Sequence, residues 1–182
     1  MQYPRRFEAL PDYAFPRLRA LLDQHEPGGP VLHMSIGEPR HDPPTFLAEA
    51  LSGAMAEFGR YPANDGTPAL KAAISDWLHR RYGVVVDADT QILPLNGTRE
   101  GLFNAAVALC PEDGPVVLTP NPFYQVYAVA ALAMGGQPVY VPATRETGFL
   151  PDYTALPDDV LNRTAIAFTP SRVTPTPVKG AG

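Results

Sequence analysis

The sequence predicts an α/β fold, a mainly parallel sheet with helices on both faces, preceded by an N-terminal helical segment. Three observations carry this expectation. Short β-prone apolar runs at 92–95, 116–118, 139–141 and 165–168 alternate with helical stretches near 98–109, 123–134 and 152–161, which is the rhythm of βαβ units. The 123–134 stretch is apolar almost all round and closes on Gly135-Gly136, as suits a crossover helix packed between a sheet and another layer. With 182 residues, 45% of them hydrophobic, the chain is long enough to bury the core of one domain.

The elements ahead of the sheet follow from periodicity and punctuation. From Thr45, behind Pro43-Pro44, apolar residues recur at Leu47, Ala50, Leu51, Ala54, Met55 and Phe58 up to Gly59, a helix with one face to bury. A second helix opens with Thr67 as N-cap and Pro68 in the first turn, carries Leu70, Ile74, Trp77 and Leu78 on one stripe, and stops at Gly83,. The expected organisation is an N-terminal arm over 1–44, a sheet domain over 45–168 and a tail over 169–182. The tail has three prolines within its last fourteen residues and neither helical nor strand spacing, so it is expected to be unstructured.

Composition narrows the function classes. A formal charge of -5, without a basic block, offers nucleic acid or an anionic membrane no electrostatic footprint. The first residues contain arginines but no apolar run behind them, so neither a secretory signal nor a membrane span is expected and the location is expected to be cytoplasmic. The single cysteine, Cys110, ends an apolar helical pattern and reads as a small buried hydrophobe,. The four histidines, His25, His33, His41 and His79, lack metal-ligand spacing,. Asp87, Asp89, Asp158 and Asp159 sit where caps and solvation account for them.

One turn stands out chemically. The segment LPLNGTREGLFNAAVAL joins an apolar run to an apolar-periodic helix through Asn96-Gly97-Thr98-Arg99. Glycine at such a turn allows close backbone approach, and unpaired N–H groups at a helix start favour a bound phosphate. Taken alone, the turn is better explained by backbone geometry than by phosphate binding.

Four motifs in fixed order, SIGEP at 35–39, YPANDGTPALKAAI at 61–74, NGTREGLF at 96–103 and PNPFYQVY at 120–127, resemble the class I/II aminotransferases, the fold-type I pyridoxal-phosphate (PLP) enzymes, across about residues 30 to 168. The wording of the second and third motifs is nearest to N-succinyldiaminopimelate aminotransferases. The resemblance implies that 45–168 is part of a PLP-transferase large domain. It gives Gly97, Thr98 and Arg99 the cofactor phosphate, Tyr124 the pyridine ring, and Gly37 the approach of backbone to the substrate carboxylate. It gives Tyr61 a reach from one subunit to the cofactor phosphate of its partner, hence a homodimer. The implied reaction moves an amino group between an amino acid and a keto acid, such as succinyldiaminopimelate and 2-oxoglutarate in lysine biosynthesis. Tyr127 reads as packing.

Transamination needs a lysine that holds PLP as a Schiff base and moves the substrate proton. The sequence has two lysines, Lys71 inside the helix after Tyr61 and Lys179 in the Pro-rich tail, and neither matches the family's catalytic position. No catalytic residue is therefore expected in this chain, which reads as an incomplete, inactive N-terminal part. From Val173 the tail can be back-translated so that a neighbouring frame gives Asn-Pro and then Gly, and a frameshift is expected there. Two alternatives keep the fold: a related PLP lyase, and a non-catalytic module that binds PLP or phosphate or pairs with a full-length aminotransferase.

Overall fold

The computed structural model describes residues 4–8, 10–37, 39 and 41–169. After a 3-10 turn at Arg5–Phe7 come the helices α1 (Ala14–Leu22), α2 (Phe46–Gly53), α3 (Pro68–Tyr82) and α4 (Thr98–Leu109). Then follow β1 (Val116–Asn121), α5 (Val126–Ala133), β2 (Gln137–Pro142), α6 (Asp158–Asn162) and β3 (Thr164–Ala167). By internal contacts the chain divides into two compact units, one running from Leu95 onward together with the stretch up to Arg17, the other Leu18–Pro94. The predicted tail from residue 170 and Lys179 lie outside the described residues.

The first unit is built on a parallel three-stranded sheet of order β2-β1-β3. β1 pairs β2 in register from Val116↔Gln137 to Asn121↔Pro142, and β3 in a register that slips at Ala165. β1 is buried from Val116 through Pro120. Because successive side chains point to opposite faces, a strand buried at five consecutive positions is covered on both. On one of those faces Val117 clusters with Tyr127 and Ala131 of α5 and with Phe168, and Leu102, Cys110, Val126 and Ile166 pack around them. The Tyr127 and Phe168 rings stack at 4.2 Å and 10°, so Tyr127 is a core residue as expected. α5 is the β1–β2 crossover, and its alanines at 128, 130, 131 and 133 are buried, small enough to let helix and sheet approach closely. Thr119 is also fully buried, and its hydroxyl has no hydrogen-bond partner among the described residues.

The second unit differs. Thr67 caps α3 as predicted, its Oγ1 accepting from the Leu70 N–H at 3.2 Å, with Pro68 in the first turn and Gly83 in the left-handed conformation at the C-terminus. Trp77 meets Tyr82 edge-on at 5.4 Å. The expected stripe is rotated, however. Lys71 is buried and Ile74, Ser75 and Leu78 are half-buried, while Leu70 and Trp77 are exposed. Two polar side chains set this face: Lys71 reaches Asp65 at 2.9 Å, and Ser75 Oγ donates to the Val86 carbonyl at 2.9 Å.

Three further expectations need correction. The helix expected from Thr45 to Gly59 ends at Gly53 and continues as a 3-10 turn, Met55–Glu57, and no residue of either is buried. Its apolar face (Phe46, Leu51, Met55, Phe58) lies open. The 92–95 run forms no strand among the described residues; a strand needs a ladder partner, and Pro94 has no N–H to give one. The 152–161 stretch breaks into a 3-10 turn at Tyr153–Ala155 and the short α6, with Pro157 at the N-cap of α6, where a proline is tolerated but cannot continue a preceding helix.

Candidate functional site

Gly97 is the N-cap of α4 with φ 121° and no side chain capping the helix. That backbone is open to glycine and strained for other residues, and a Cβ there would meet nothing within 4 Å. The first amides of α4, from Thr98, Arg99 and Glu100, precede the point where intrahelical acceptors begin. Unpaired amides with the positive end of the helix dipole behind them are the kind of group that can hold an anion. One feature opposes a bound anion: Glu100 accepts from the Asn96 N–H at 3.2 Å, which puts a carboxylate beside the same turn.

Tyr124 comes to this helix start from 25 residues away. Arg99 Nε donates to the Tyr124 hydroxyl at 2.5 Å, and the guanidinium carbon lies 5.5 Å from the ring centroid, within cation–π range. The Tyr124 hydroxyl, and more weakly that of Tyr13, holds the Arg99 guanidinium above its already high value, so Arg99 is a permanent cation here. Tyr124 is partly exposed and meets the buried Tyr127 edge-on at 5.9 Å and 89°. The core residue Tyr127 therefore meets the Tyr124 ring, which stays partly exposed.

These residues line a cleft of about 980 Å³ within the first unit, walled by Tyr13, Phe15, Phe103, Phe123, Tyr124 and Tyr140, with Arg17, Asn96, Arg99 and Glu100 among its polar groups. The Phe123 and Tyr140 rings lie 4.9 Å apart. A concave, aromatic wall with few polar groups suits a flat heteroaromatic ligand, and Asn96, Arg99 and Glu100, which line it, flank the Gly97 turn. The residues present fit a phosphorylated pyridine ring. Sequence reasoning missed Tyr13 and Phe15, which enter from the N-terminal stretch; two aromatics one residue apart in PDYAF were the available signal.

The other predicted residues lie in the second unit. Tyr61 is fully exposed, at the head of a turn in which the Gly66 N–H donates to the Ala63 carbonyl at 3.1 Å. Gly37 is exposed, and a Cβ there would meet nothing within 4 Å. Lys71 is buried and ion-paired. Asp87 serves a local turn, accepting from the Asp89 N–H and the Thr90 hydroxyl, each at 2.9 Å. In the first unit, burial pushes the Cys110 thiol up, away from reactivity.

Comparison with known proteins agrees with this geometry. The family profile described as aminotransferase class I and II matches residues 29–174. The chain is 35% identical over 169 residues to the LL-diaminopimelate aminotransferase of Dehalococcoides mccartyi, covering 91% of this chain and 43% of that protein. It is 36% identical over 172 residues to the enzyme of the same name from Moorella thermoacetica, covering 92% and 44%. Among solved structures, an aminotransferase from Neisseria meningitidis superposes with a TM-score of 0.83 at 34% identity, over 91% of this chain and 43% of that one. BacF from Bacillus subtilis, solved with substrate bound, superposes with a TM-score of 0.77 at 26% identity, over 92% and 43%. The chain thus spans less than half the length of these relatives. No helix among the described residues is long and apolar enough to cross a membrane. A profile match over most of the chain and a partial α/β sheet shared with solved aminotransferases lead to one conclusion: the chain belongs to the class I and II aminotransferases, a PLP-dependent family.

Proposed function

We propose that this chain supplies the cofactor-phosphate cradle and the ring-stacking tyrosine of a PLP-dependent aminotransferase of lysine biosynthesis, acting in the cytoplasm as a homodimer. The observation that carries the reading is the Gly97 turn at the start of α4, flanked by Asn96 and Arg99, which line the same aromatic cleft as Tyr124. Thr98 and Arg99 bind the phosphate through backbone N–H groups, Tyr124 holds the ring plane, and Gly37 lets the substrate carboxylate approach. Tyr61 serves the partner subunit's phosphate. Bound PLP supplies an electrophilic aldehyde and a ring that draws electrons from the substrate α-carbon.

The amino donor or acceptor is of the diaminopimelate type, with 2-oxoglutarate as its counterpart. The relatives named above carry the name of free LL-diaminopimelate, whereas the motif wording favours the N-succinyl derivative. Assays of both compounds with the complete enzyme decide between them.

The 182 residues bind PLP non-covalently: the ammonium of Lys71 is buried and committed to Asp65, and Lys179 does not match the family's catalytic position. The test is a PLP titration of the chain, followed by borohydride reduction and peptide mass analysis. Wild type is expected to bind PLP better than pyridoxal, which lacks the phosphate, and Gly97→Ala is expected to lose about tenfold in PLP affinity, the size of one charge-assisted hydrogen bond. A reduced adduct on Lys71 or Lys179 would refute the non-covalent reading, and equal affinity for PLP and pyridoxal would refute the cradle.

A further inference from the structure

We infer that Lys71 is a positioning residue that braces the turn carrying Tyr61, through its ion pair with Asp65. The inference deepens the proposed role of Tyr61 and rests on it for its functional meaning.

A lysine at this place in a helix is physically odd. Lys71 lies on the α3 face shared with Ile74, Ser75 and Leu78, and only 6% of it is exposed, the lowest value among the described residues of its unit. Burying an ammonium is costly unless it is paired. The partner is Asp65, 2.9 Å away on the preceding turn, with two-thirds of its own side chain in solvent. The helix thus spends a core position on holding a surface turn.

The turn is fixed at two other points. Gly66 has φ 85° and lies so close to Pro94 that a Cβ would come within 2.6 Å of its ring, and Thr67 caps α3. These hold the end of the turn that leads into the helix. Lys71 holds the middle, at Asp65, nearer to Tyr61. Between Asp65 and Tyr61 the chain is stiff. Pro62 has its own φ locked by its ring and keeps Tyr61 out of the helical region, and the turn is closed by the Gly66-to-Ala63 hydrogen bond. An anchor at Asp65 is therefore felt at Tyr61, whose side chain finds no cover among the described residues. A side chain meant for another subunit's phosphate gains from such a brace, since the ordering entropy is met before contact.

Hydrogen exchange on the full 182-residue chain tests the brace. Lys71→Met and Asp65→Asn are each expected to speed exchange of the amides at 63–66 about tenfold, with the amides of α3 still protected. The double variant is expected to be no worse than Lys71→Met alone, because both remove the same pair. Unchanged exchange in both single variants, or additive effects in the double, would overturn the proposal. Asp65→Asn alters an exposed residue, so the test stands if Lys71→Met does not fold. PLP affinity then separates the brace from the role of Tyr61. If Tyr61→Phe weakens PLP binding, Lys71→Met must weaken it too, and a PLP affinity unmoved by Lys71→Met would overturn positioning. If Tyr61→Phe has no effect while exchange at 63–66 still rises, the brace stands and the phosphate role of Tyr61 falls.

Discussion

The two units of the chain handle their apolar residues in opposite ways. In the unit containing the sheet, eleven hydrophobic residues from Ala106 to Phe168 are buried, centred on a strand covered on both faces. In Leu18–Pro94, the only buried residue among those described is a lysine. Yet both regions have periodic sequences. Periodicity records which face of an element is to be covered, whereas burial requires a covering surface. In the first unit α5 and the sheet provide one for each other. On α2 and the turn after it, Phe46, Leu51, Met55 and Phe58 have none among the described residues, and each forgoes roughly 1.5–3 kcal/mol that burial would return.

The strongest test of the contrast is a charge on each side of it. Val117→Asp puts an unpaired carboxylate at a fully buried site and should cost the sheet unit about 3–5 kcal/mol, read as lost exchange protection in β1 and β2. Leu51→Asp on the open face of α2 should change stability by no more than about 0.5 kcal/mol. If Leu51→Asp is as damaging as Val117→Asp, the α2 face is covered in solution and the contrast fails. A smaller effect is expected from Gly66→Ala, which meets both a left-handed backbone and the Pro94 ring. About 1–3 kcal/mol of backbone strain should appear as loosening confined to the second unit, with the β1 amides unaffected.

The smallest effect is a difference in pH response. Acid weakens both units. The Lys71 hydrogen bond holds the Asp65 carboxyl below its ordinary range, and the Thr154 hydroxyl does the same for Asp152. A depressed folded-state pKa gives stability that is present above the ordinary carboxylate value and lost as pH falls through the folded one. Alkali acts on the sheet unit through Tyr127 and Tyr153, whose phenols burial pushes up; the Tyr153 hydroxyl also donates to the Phe168 carbonyl at 2.7 Å. Their contribution is full below the ordinary tyrosine pKa and lost as pH rises through the raised values. Phenolate absorbance followed alongside circular dichroism should show the sheet signal falling as these two groups ionise, with the fall diminished in Tyr127→Phe. An alkaline loss that is the same in Tyr127→Phe would show that the sheet is not the sensitive region.

What was legible in the sequence were features that local chemistry decides. Thr67, Pro68 and Gly83 bound α3 because a cap, a fixed φ and a left-handed stop each act within a few residues. Gly97 and the span of α4 were legible for the same reason. What depends on a distant partner was not. The pairing of Arg99 with Tyr124 joins residues far apart in the chain, and Tyr13 and Phe15 reach the cleft from the N-terminal stretch. The 92–95 run has strand composition but no ladder, and the buried face of α3 is set by Lys71 and Ser75, polar residues that a hydrophobic stripe passes over.

The chain contains one tryptophan and one cysteine, and they fall on opposite sides of this division. Trp77 lies on α3, edge-on to Tyr82, so its fluorescence reports on Leu18–Pro94 with no label added. Cys110 packs against the cluster of Val117 and Phe168, so the rate at which a thiol reagent traps it reports how often the sheet core opens. Unfolding followed by both signals in one sample would show whether the two units melt as one cooperative body or in sequence, without a single substitution.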